Sequence, residues 1–225
     1  MNKDWSVFKS PWDRRVSYSK LSAVSNCPRA YHMQHELKIK VPPSEALVLG
    51  GVWDDLLYGV QAETVEDWVL VRLNKWRAKF GPAPEKSRLQ VPFEKSISGT
   101  KLWLYGFIDE LSDDAVIDYK FALKPWTNDK AESDSTLRQL RSYAWALDKP
   151  RWEIRVANKL TDEIQHFKGD VTRQDVDDTL AWMIEAINVL LSKNRDGRVN
   201  WLCERFCSFN SDCPAFIESQ TTLHV

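Results

Sequence analysis

The positions of the cysteines constrain the fold of this chain more than any other feature of its sequence. Cys203, Cys207 and Cys213 lie within eleven residues of one another, whereas Cys27 stands alone near the opposite end. A site built from all four thiols therefore requires the two ends of the chain to meet. The residues alone leave three interpretations open: scattered buried thiols, a zinc site, or the ligands of an iron–sulfur cluster.

Length and composition are typical of a soluble globular protein. The 225 residues correspond to one large domain, since domains usually have roughly 100–200 residues. The first twelve residues carry charges where a secretory signal would be apolar, so we expect a cytoplasmic protein without a disulfide framework. No apolar run approaches the roughly 18 residues of a membrane span. The net charge of −1 excludes a global positive field, so any nucleic acid must be held by local basic surface or by metal.

The hydrophobic pattern predicts a mixed α/β fold, with a mixed β-sheet flanked by helices. Helical spacing dominates up to residue 80, and a period of two then predicts strands at 89–93, 101–111 and 115–121. A helix after Asp134, strands at 152–158 and 163–168, and a long helix from Thr172 follow. We expect one integrated domain with three parts: an N-terminal helical region (1–86), a core of sheet and helix (87–170), and a C-terminal helix with the three-cysteine tail (171–225).

The acidic segment after Gly106 is the most informative for function. If Asp113-Asp114 form a two-residue turn, the numbers of opposed residues sum to 227, and Asp109 faces Asp118. Opposed residues share one sheet face with Cβ atoms about 4.5–5.5 Å apart, where two like charges are destabilising without a cation between them. Lys120 lies on the same face by strand alternation.

Two carboxylates and a lysine on one face suit metal-assisted hydrolysis of phosphodiesters. The carboxylate oxygens can hold Mg²⁺ or Mn²⁺, and the ammonium can position the attacking water or stabilise developing charge. The alternative is a solvated acidic hairpin in which Lys120 merely pairs with Asp118, because Asp-x-Lys triplets are common by chance. The matched position of Asp109 favours the functional interpretation.

This segment resembles the PD-(D/E)XK nuclease superfamily, specifically its RecB-type exonuclease branch. Ile108-Asp109 matches the first half-motif, Asp118-Tyr119-Lys120 matches the second, and Gly106 occupies the glycine position of the branch's Gly-x-x-Asp. The resemblance implies a Mg²⁺- or Mn²⁺-dependent deoxyribonuclease that acts as an exonuclease on linear or single-stranded DNA ends.

Two further motifs of the branch have counterparts on predicted helices. Gln139 and Tyr143 match its Gln-x-x-x-Tyr motif, and their spacing of four residues allows both to face the active edge of the sheet. Asp54 stands where the branch usually has a histidine metal ligand. The resemblance implies that Asp109, Asp118 and the Tyr119 carbonyl hold the ion, with Asp54 as candidate third ligand. Lys120 would then act on the water or the phosphate, and Gln139 and Tyr143 would orient Lys120 or the substrate.

The cysteines resemble those of a subset of RecB-type nucleases, which includes the AddB nuclease domain and the CRISPR-associated spacer-acquisition exonucleases. That subset holds a [4Fe–4S] cluster with one upstream and three C-terminal cysteines. Here Ser17 to Leu21 followed by Cys27 to Tyr31 resembles its first motif, and Trp201 to Pro214 its second. Three residues separate Cys203 from Cys207 where two are commoner, so zinc stays the alternative occupant. The resemblance implies a cluster that clamps the two chain ends.

The resemblance also suggests partners. A stand-alone enzyme of phage recombination or CRISPR adaptation would bind DNA and a recombination or CRISPR-adaptation protein. Basic and aromatic side chains are predicted to contact that DNA. They are Arg29, Tyr31, Lys124, Trp126, Arg138 and Arg141. The competing interpretation is a non-catalytic module with a nuclease-like fold and a zinc or cluster staple, which holds DNA or a protein; Asp54 in the histidine position favours it.

Overall fold

The chain divides into two units. Unit 1 comprises Met1–Pro42, Ser96–Tyr105 and Leu180–Val225, and unit 2 comprises Pro43–Lys95 and Gly106–Thr179. The structure, a computed structural model, describes residues 14–59, 65–82, 84–85, 88–193, 195–200, 202–205 and 207–222. Trp201 of the second cysteine motif lies outside the described residues. The division of the sequence at residues 86 and 170 stays a prediction.

Runs of helices and runs of strands follow one another along the described chain. The strands are β1 (Arg15–Val16), β2 (Leu89–Ser96), β3 (Trp103–Leu111), β4 (Ala115–Ala122), β5 (Arg151–Asn158) and β6 (Ile164–Asp170). The helices are α1 (Tyr18–Asn26), α2 (Pro28–Tyr31), α3 (Glu45–Leu57), α4 (Asp67–Phe80), α5 (Asn128–Ala131), α6 (Asp134–Ala146), α7 (Arg173–Ser192), α8 (Leu202–Arg205) and α9 (Pro214–Thr222). None of the helices in the described part of the chain is both long and apolar enough to cross a membrane.

The strands form a six-stranded mixed sheet in the order β1-β3-β4-β5-β6, with β2 also beside β3. Strands β3 and β4 are antiparallel, and their pairs Glu110 with Ile117 and Leu111 with Val116 have the predicted sum of 227. Strands β4 and β5 are parallel. Because a parallel pair needs a crossover, α5 and α6 fill the connection between them. The predicted mixed α/β class is therefore confirmed.

Aromatic side chains build the core of unit 2 on one face of the sheet. Trp53 of α3 and Trp76 of α4 are 1% and 4% exposed, and their rings meet edge to face with centroids 5.4 Å apart. Both helices pack against Ile117 and Tyr119 of β4. The same packing fixes the position of β4, which carries three of the predicted site residues, Asp118, Tyr119 and Lys120.

The two ends of the chain meet in unit 1. Ser17 caps α1 by accepting a hydrogen bond from the Lys20 backbone N–H at 3.2 Å. Close to its end, α1 receives two side chains from the C-terminal segment: Arg198 donates to the Ser25 carbonyl at 3.0 Å, and Asn200 donates to the Asn26 carbonyl at 3.1 Å. The meeting of the ends that a four-cysteine site requires is therefore present.

Candidate active site

Strand pairing and side-chain hydrogen bonds place Asp109 at the point where β3 ends its pairing with β4. Beyond the pair that Glu110 makes with Ile117, the Asp109 carboxylate itself accepts the Tyr119 backbone N–H, with Oδ2 and N 2.8 Å apart. Its other oxygen, Oδ1, accepts from the Tyr58 hydroxyl at 3.3 Å and from the Gln90 amide at 3.1 Å. The side chain is thus held by three donors from three different elements.

Asp118 and Lys120 lie two residues apart on β4 and form an ion pair. Lys120 Nζ is 2.9 Å from Asp118 Oδ1 and 2.7 Å from Oδ2. The Asp118 side chain is 9% exposed and that of Lys120 is 34% exposed. Burial alone would lower the pKa of Lys120, but the Asp118 carboxylate outweighs it and, with Asp109, raises this pKa above its usual value. Lys120 is therefore an ammonium at neutral pH.

Asp54, near the end of α3, adds a third carboxyl group to this region. Burial, followed by the charge of Asp109, raises the pKa of Asp54 to about 7, although Lys120 opposes the shift. Burial and the charge of Asp118 raise the pKa of Asp109 to about 6. Each shift arises first because the carboxyl group is desolvated, and then because like charges lie near it with one lysine to balance them. A cation that binds in such a place relieves the repulsion between the carboxylates.

The chemistry of these donors fits Mg²⁺ or Mn²⁺, which prefer carboxylate and carbonyl oxygens. Among the described residues, no three His, Cys, Asp or Glu side chains form a ready group of metal ligands, so the carboxylates do not converge on one point. The match between this site and Mg²⁺ or Mn²⁺ therefore rests on two properties: the oxygen donors, and the closeness of negative charges that the raised pKa values of Asp54 and Asp109 reflect.

Helix α6 brings Gln139 and Tyr143 together, as the spacing of four residues predicts. The Gln139 amide donates to the Tyr143 hydroxyl at 3.2 Å. Burial, and then the nearby charge of Asp118, raise the pKa of Tyr143, so this hydroxyl stays protonated. The Tyr143 ring packs edge to face on Phe93 with centroids 4.9 Å apart. A Cβ at Gly106 would lie 2.9 Å from Phe93 Cε1 and 3.5 Å from the Tyr143 hydroxyl, so the glycine allows this packing.

Tyr58 and Gln90 belong to the site although no sequence motif predicts them. Tyr58 ends α3 four residues after Asp54, so one turn of helix carries both groups to the same place. Burial and the Asp109 charge raise the pKa of Tyr58, which keeps its hydroxyl as a donor. Gln90 has a backbone φ of 49°, in the left-handed region, and no sequence pattern reveals its partner. The Gln90 amide also donates to the Tyr58 hydroxyl.

Three of the residues predicted to contact DNA already make contacts with other side chains or with the backbone of the protein. Arg141 pairs with Asp175 at 2.7 Å, and the two side chains are 21% and 18% exposed. Tyr31 is 4% exposed and stacks on His35 with centroids 5.1 Å apart. Arg29 donates to the Asp212 carbonyl at 3.0 Å. Each of these three side chains thus has a partner within the protein, and its role in DNA binding stays a prediction.

The other three predicted DNA contacts lie nearer the surface of unit 2. Lys124 is exposed beyond the end of β4, and Trp126 is half-buried with the Lys130 ammonium 5.5 Å from its ring centroid. Arg138 lies on α6, 3.4 Å from Asp134. Their role in DNA binding stays a prediction.

All four cysteines line a single cavity in unit 1. The residues around it are Cys27, Arg29, Ala30, Arg198, Cys203, Cys207, Phe209, Asn210, Cys213 and Phe216. Burial, together with the charges of the other three thiols, raises the pKa of Cys207. The Asn200 backbone N–H donates to Cys203 Sγ at 3.3 Å. A Cβ at Gly197 would lie 2.9 Å from Cys213 Sγ, so only glycine fits there without displacing the sulfur.

The donor set of this cavity fits a metal group that takes soft ligands. Thiolates are the ligands of iron–sulfur clusters and of many structural zinc sites. As at the carboxylate site, the described side chains are not already gathered at one point within reach of an ion. The cavity brings the upstream cysteine to the three C-terminal ones, which is the arrangement that their sequence positions require.

No protein-family model and no curated protein matches the sequence. Solved structures share the fold. A candidate exonuclease from Eubacterium rectale has a TM-score of 0.64 at 14% identity, covering 94% of this chain and 93% of its own. An alkaline exonuclease from Laribacter hongkongensis has a TM-score of 0.50 at 8% identity, covering 80% of this chain and 90% of its own, and its complex with dAMP has a TM-score of 0.53.

A third structure, of a protein designated SSO0001, has a TM-score of 0.54 at 17% identity and covers 90% of this chain and 87% of its own. At such identities the likeness establishes the fold alone. The chain therefore shares its architecture, over most of its length, with proteins that include exonucleases.

Proposed function

We propose that the protein is a divalent-metal-dependent deoxyribonuclease that removes nucleotides from DNA ends. The observation that carries the proposal is the Asp118–Lys120 ion pair beside Asp109, whose carboxylate accepts the Tyr119 N–H where β3 ends its pairing with β4. The charges of these groups also act on Asp54. The fold shared with exonucleases supports the proposal. The solvated hairpin explains the site less well, because Asp118 is 7% exposed.

The carboxylates of Asp54, Asp109 and Asp118 and the carbonyl of Tyr119 would hold Mg²⁺ or Mn²⁺. Such an ion lowers the pKa of a bound water and neutralises charge on the phosphate. Lys120 carries a proton and can donate it as a hydrogen bond to the attacking water or to the phosphate. The Gln139 and Tyr143 pair would orient Lys120 or the substrate, since the charges of both Asp118 and Lys120 act on the Tyr143 hydroxyl.

DNA is the proposed substrate. The Laribacter hongkongensis exonuclease has been solved with dAMP, a product of DNA hydrolysis, which supports a nucleotide ligand for this fold. Among the predicted contacts, Lys124 and Arg138 would bind phosphates and Trp126 would stack on a base. We propose linear or single-stranded ends as the target, and a recombination or CRISPR-adaptation protein as the partner.

We also propose that Cys27, Cys203, Cys207 and Cys213 hold a [4Fe–4S] cluster. Their shared cavity at the meeting point of the chain ends supports this assignment. The cluster would act as a staple of unit 1, with zinc as the alternative occupant. No step of phosphodiester hydrolysis requires it.

The decisive experiment is a nuclease assay with Asp118→Asn. Mutation of residues that only hydrogen-bond to metal ligands typically lowers metal affinity or activity by about 10–100-fold. Loss of a ligand itself is therefore expected to lower cleavage of linear DNA in Mg²⁺ or Mn²⁺ by at least about 100-fold. Asp113→Asn, in the exposed turn of the same hairpin, is the matched control and should cleave normally. Closed circular DNA separates attack on ends from internal cleavage. Unchanged activity of Asp118→Asn would remove the catalytic assignment.

A non-catalytic binding module is the second candidate, and Asp54 in the usual histidine position favours it. Purified protein that binds DNA in Mg²⁺ but releases no nucleotides would support this candidate. The two proposals thus give opposite results in one assay.

A further inference from the structure

The hydrogen bonds around Asp109 leave this carboxylate few ways to bind a metal ion. Oδ1 accepts from the Tyr58 hydroxyl at 3.3 Å and from the Gln90 amide at 3.1 Å. Oδ2 accepts one bond, from the Tyr119 backbone N–H at 2.8 Å. A carboxylate offers about four lone-pair sites, two on each oxygen. Both sites of Oδ1 are therefore filled, and only one site of Oδ2 remains free.

The two donors to Oδ1 hold each other as well. The Gln90 amide has two N–H groups and donates one to Asp109 and the other to the Tyr58 hydroxyl, which itself donates to Asp109. Tyr58, Gln90 and Asp109 thus form a closed triangle of hydrogen bonds, which involves neither Lys120 nor Asp118. Removal of either donor would free one lone-pair site on Oδ1.

We propose that Tyr58 and Gln90 are positioning residues that restrict Asp109 to binding a metal through Oδ2 alone, and that they thereby select Mg²⁺ or Mn²⁺ over Ca²⁺. This inference rests on the metal site of the proposed function. A single carboxylate oxygen suits Mg²⁺, which demands a regular octahedron of six close ligands. Ca²⁺ takes six to eight oxygens and commonly binds both oxygens of one carboxylate, which the filled sites of Oδ1 oppose.

The backbone at Gln90 supports a functional role for this side chain. Its φ of 49° places a non-glycine residue in the left-handed region inside β2, which side chains rarely adopt. Gln90 is also exposed, so burial of apolar surface does not explain its conformation. The contacts with Asp109 and Tyr58 are what this conformation achieves.

The test measures metal binding to the full chain by isothermal titration calorimetry, with Mg²⁺, Mn²⁺ and Ca²⁺ as separate titrants. Tyr58→Phe removes the hydroxyl but keeps the ring. Gln90→Asn keeps an amide and tolerates the left-handed backbone, but its shorter side chain falls short of Asp109. In each variant we expect the affinity for Ca²⁺ relative to Mg²⁺ to rise by about tenfold, since a hydrogen bond to a charged group no longer competes with the ion.

Matched controls are Tyr105→Phe and Gln34→Asn, which change residues outside the carboxylate site and should keep the wild-type ratio. Thermal unfolding verifies that each variant folds; should Tyr58→Phe fail to fold, Gln90→Asn decides.

An unchanged ratio of Ca²⁺ to Mg²⁺ affinity, or equal losses of affinity for all three ions, overturns the inference. If the ratio shifts but no variant or wild type cleaves DNA, the inference stands and the proposed function fails. If wild type cleaves DNA with an unchanged ratio in the variants, only the inference fails, and absence of any metal binding overturns both.

Discussion

Single residues of the carboxylate site combine raised pKa values with a proposed role, metal binding, that would require their ionised forms. Burial and Asp109 raise the pKa of Asp54 to about 7, and burial and Asp118 raise that of Asp109 to about 6. Below these values each group holds a proton that an incoming cation must displace. If these groups bind the proposed metal, the protein would exchange protons for it near neutral pH.

This linkage predicts that affinity for Mg²⁺ rises with pH. The gain should approach about tenfold per pH unit for each proton displaced, be steepest below about pH 6, where both groups hold a proton, and level off above about pH 7, the pKa of Asp54. The sign follows because protonation competes with the metal for the same oxygens. Calorimetry in buffers of different ionisation enthalpy counts the protons released. An affinity that is constant from about pH 5 to 8 would contradict the prediction.

Asp54→Asn provides the matched control for this pH dependence. It removes the group with the higher pKa, and it also relieves Asp109 of one neighbouring charge. The rise of affinity should then level off at a pH at least about one unit lower. Wild-type pH dependence in this variant would show that Asp54 takes no part in binding the metal.

At the residue scale, the sequence was sufficient where a pairing rule applies. The sum of 227 across the hairpin follows from a two-residue turn, and the pairs at Glu110 and Leu111 obey it. The contacts of Tyr58 and Gln90 with Asp109 join residues 51 and 19 positions apart in the chain. No local period or spacing specifies such contacts, because they depend on how α3 and β2 pack against β3.

In strand β3, one small residue, Gly106, makes room for the side chains that pack beside the candidate site. Gly106 faces the ring of Phe93, and a methyl group there would approach Cε1 to 2.9 Å. Phe93 is 8% exposed and packs against Tyr143, so its ring has little room to move. The glycine of the Gly-x-x-Asp motif therefore has a steric reason that is separate from metal binding.

Gly106→Ala is expected to destabilise the protein by about 1–3 kcal/mol, the usual cost of overpacking. It should also lower cleavage, because Phe93 can yield only by pushing Tyr143 away from Gln139. Denaturant unfolding measures the first effect and the nuclease assay the second. Gly51→Ala in α3 is the control: a Cβ there meets nothing within 4 Å, so it should stabilise the helix by up to about 1 kcal/mol. Equal stability of the two variants would contradict the steric argument.

Strand β4 is held from its other face by a buried polar cluster. Glu110 accepts from the Tyr119 hydroxyl and from Arg155 of β5, whose Nη1 lies 2.6 Å away. Arg155 and Glu110 side chains are 13% and 6% exposed, so the charges are compensated within the fold. Tyr119 therefore makes two contacts: its hydroxyl binds Glu110 in this cluster, and its backbone N–H binds the Asp109 carboxylate. By holding Tyr119, the cluster also helps to hold Asp109.

Periodicity predicted the long elements and missed those that depend on distant partners. The strands from β2 to β6 and the long helices lie where the hydrophobic pattern places them, within a few residues at their ends. The two residues of β1 are too few to show a period, and they are a strand only because Arg15 and Val16 pair with Trp103 and Leu104. The four-residue α5 is similarly short.

At the scale of the whole molecule, two kinds of donor lie in different units. Unit 1 contains the four thiols, and unit 2 contains the carboxylates of Asp54, Asp109 and Asp118. Soft thiolates select iron or zinc, whereas hard carboxylate oxygens select Mg²⁺ or Mn²⁺. The donor chemistry should therefore sort two different metals within one chain. The ligand types in the sequence predict two different metals, but not that their donors lie in two separate units. The common cavity of the cysteines depends on the meeting of the chain ends.

Removal of one thiol tests the cluster without touching the carboxylates. Wild-type protein purified anaerobically should be brown and contain about four iron and four sulfide per chain. Cys203→Ala should lose the colour and on the order of several kcal/mol of stability, since binding of a structural metal contributes directly to folding. Ser208→Ala, beside Cys207, is the control and should keep both the colour and the stability.

The affinity for Mg²⁺ measured by calorimetry should persist in any folded variant, because none of the proposed Mg²⁺ ligands is a cysteine. A colourless wild-type protein with one bound zinc would replace the cluster by a zinc site, and iron retained by Cys203→Ala would exclude that thiol as a ligand.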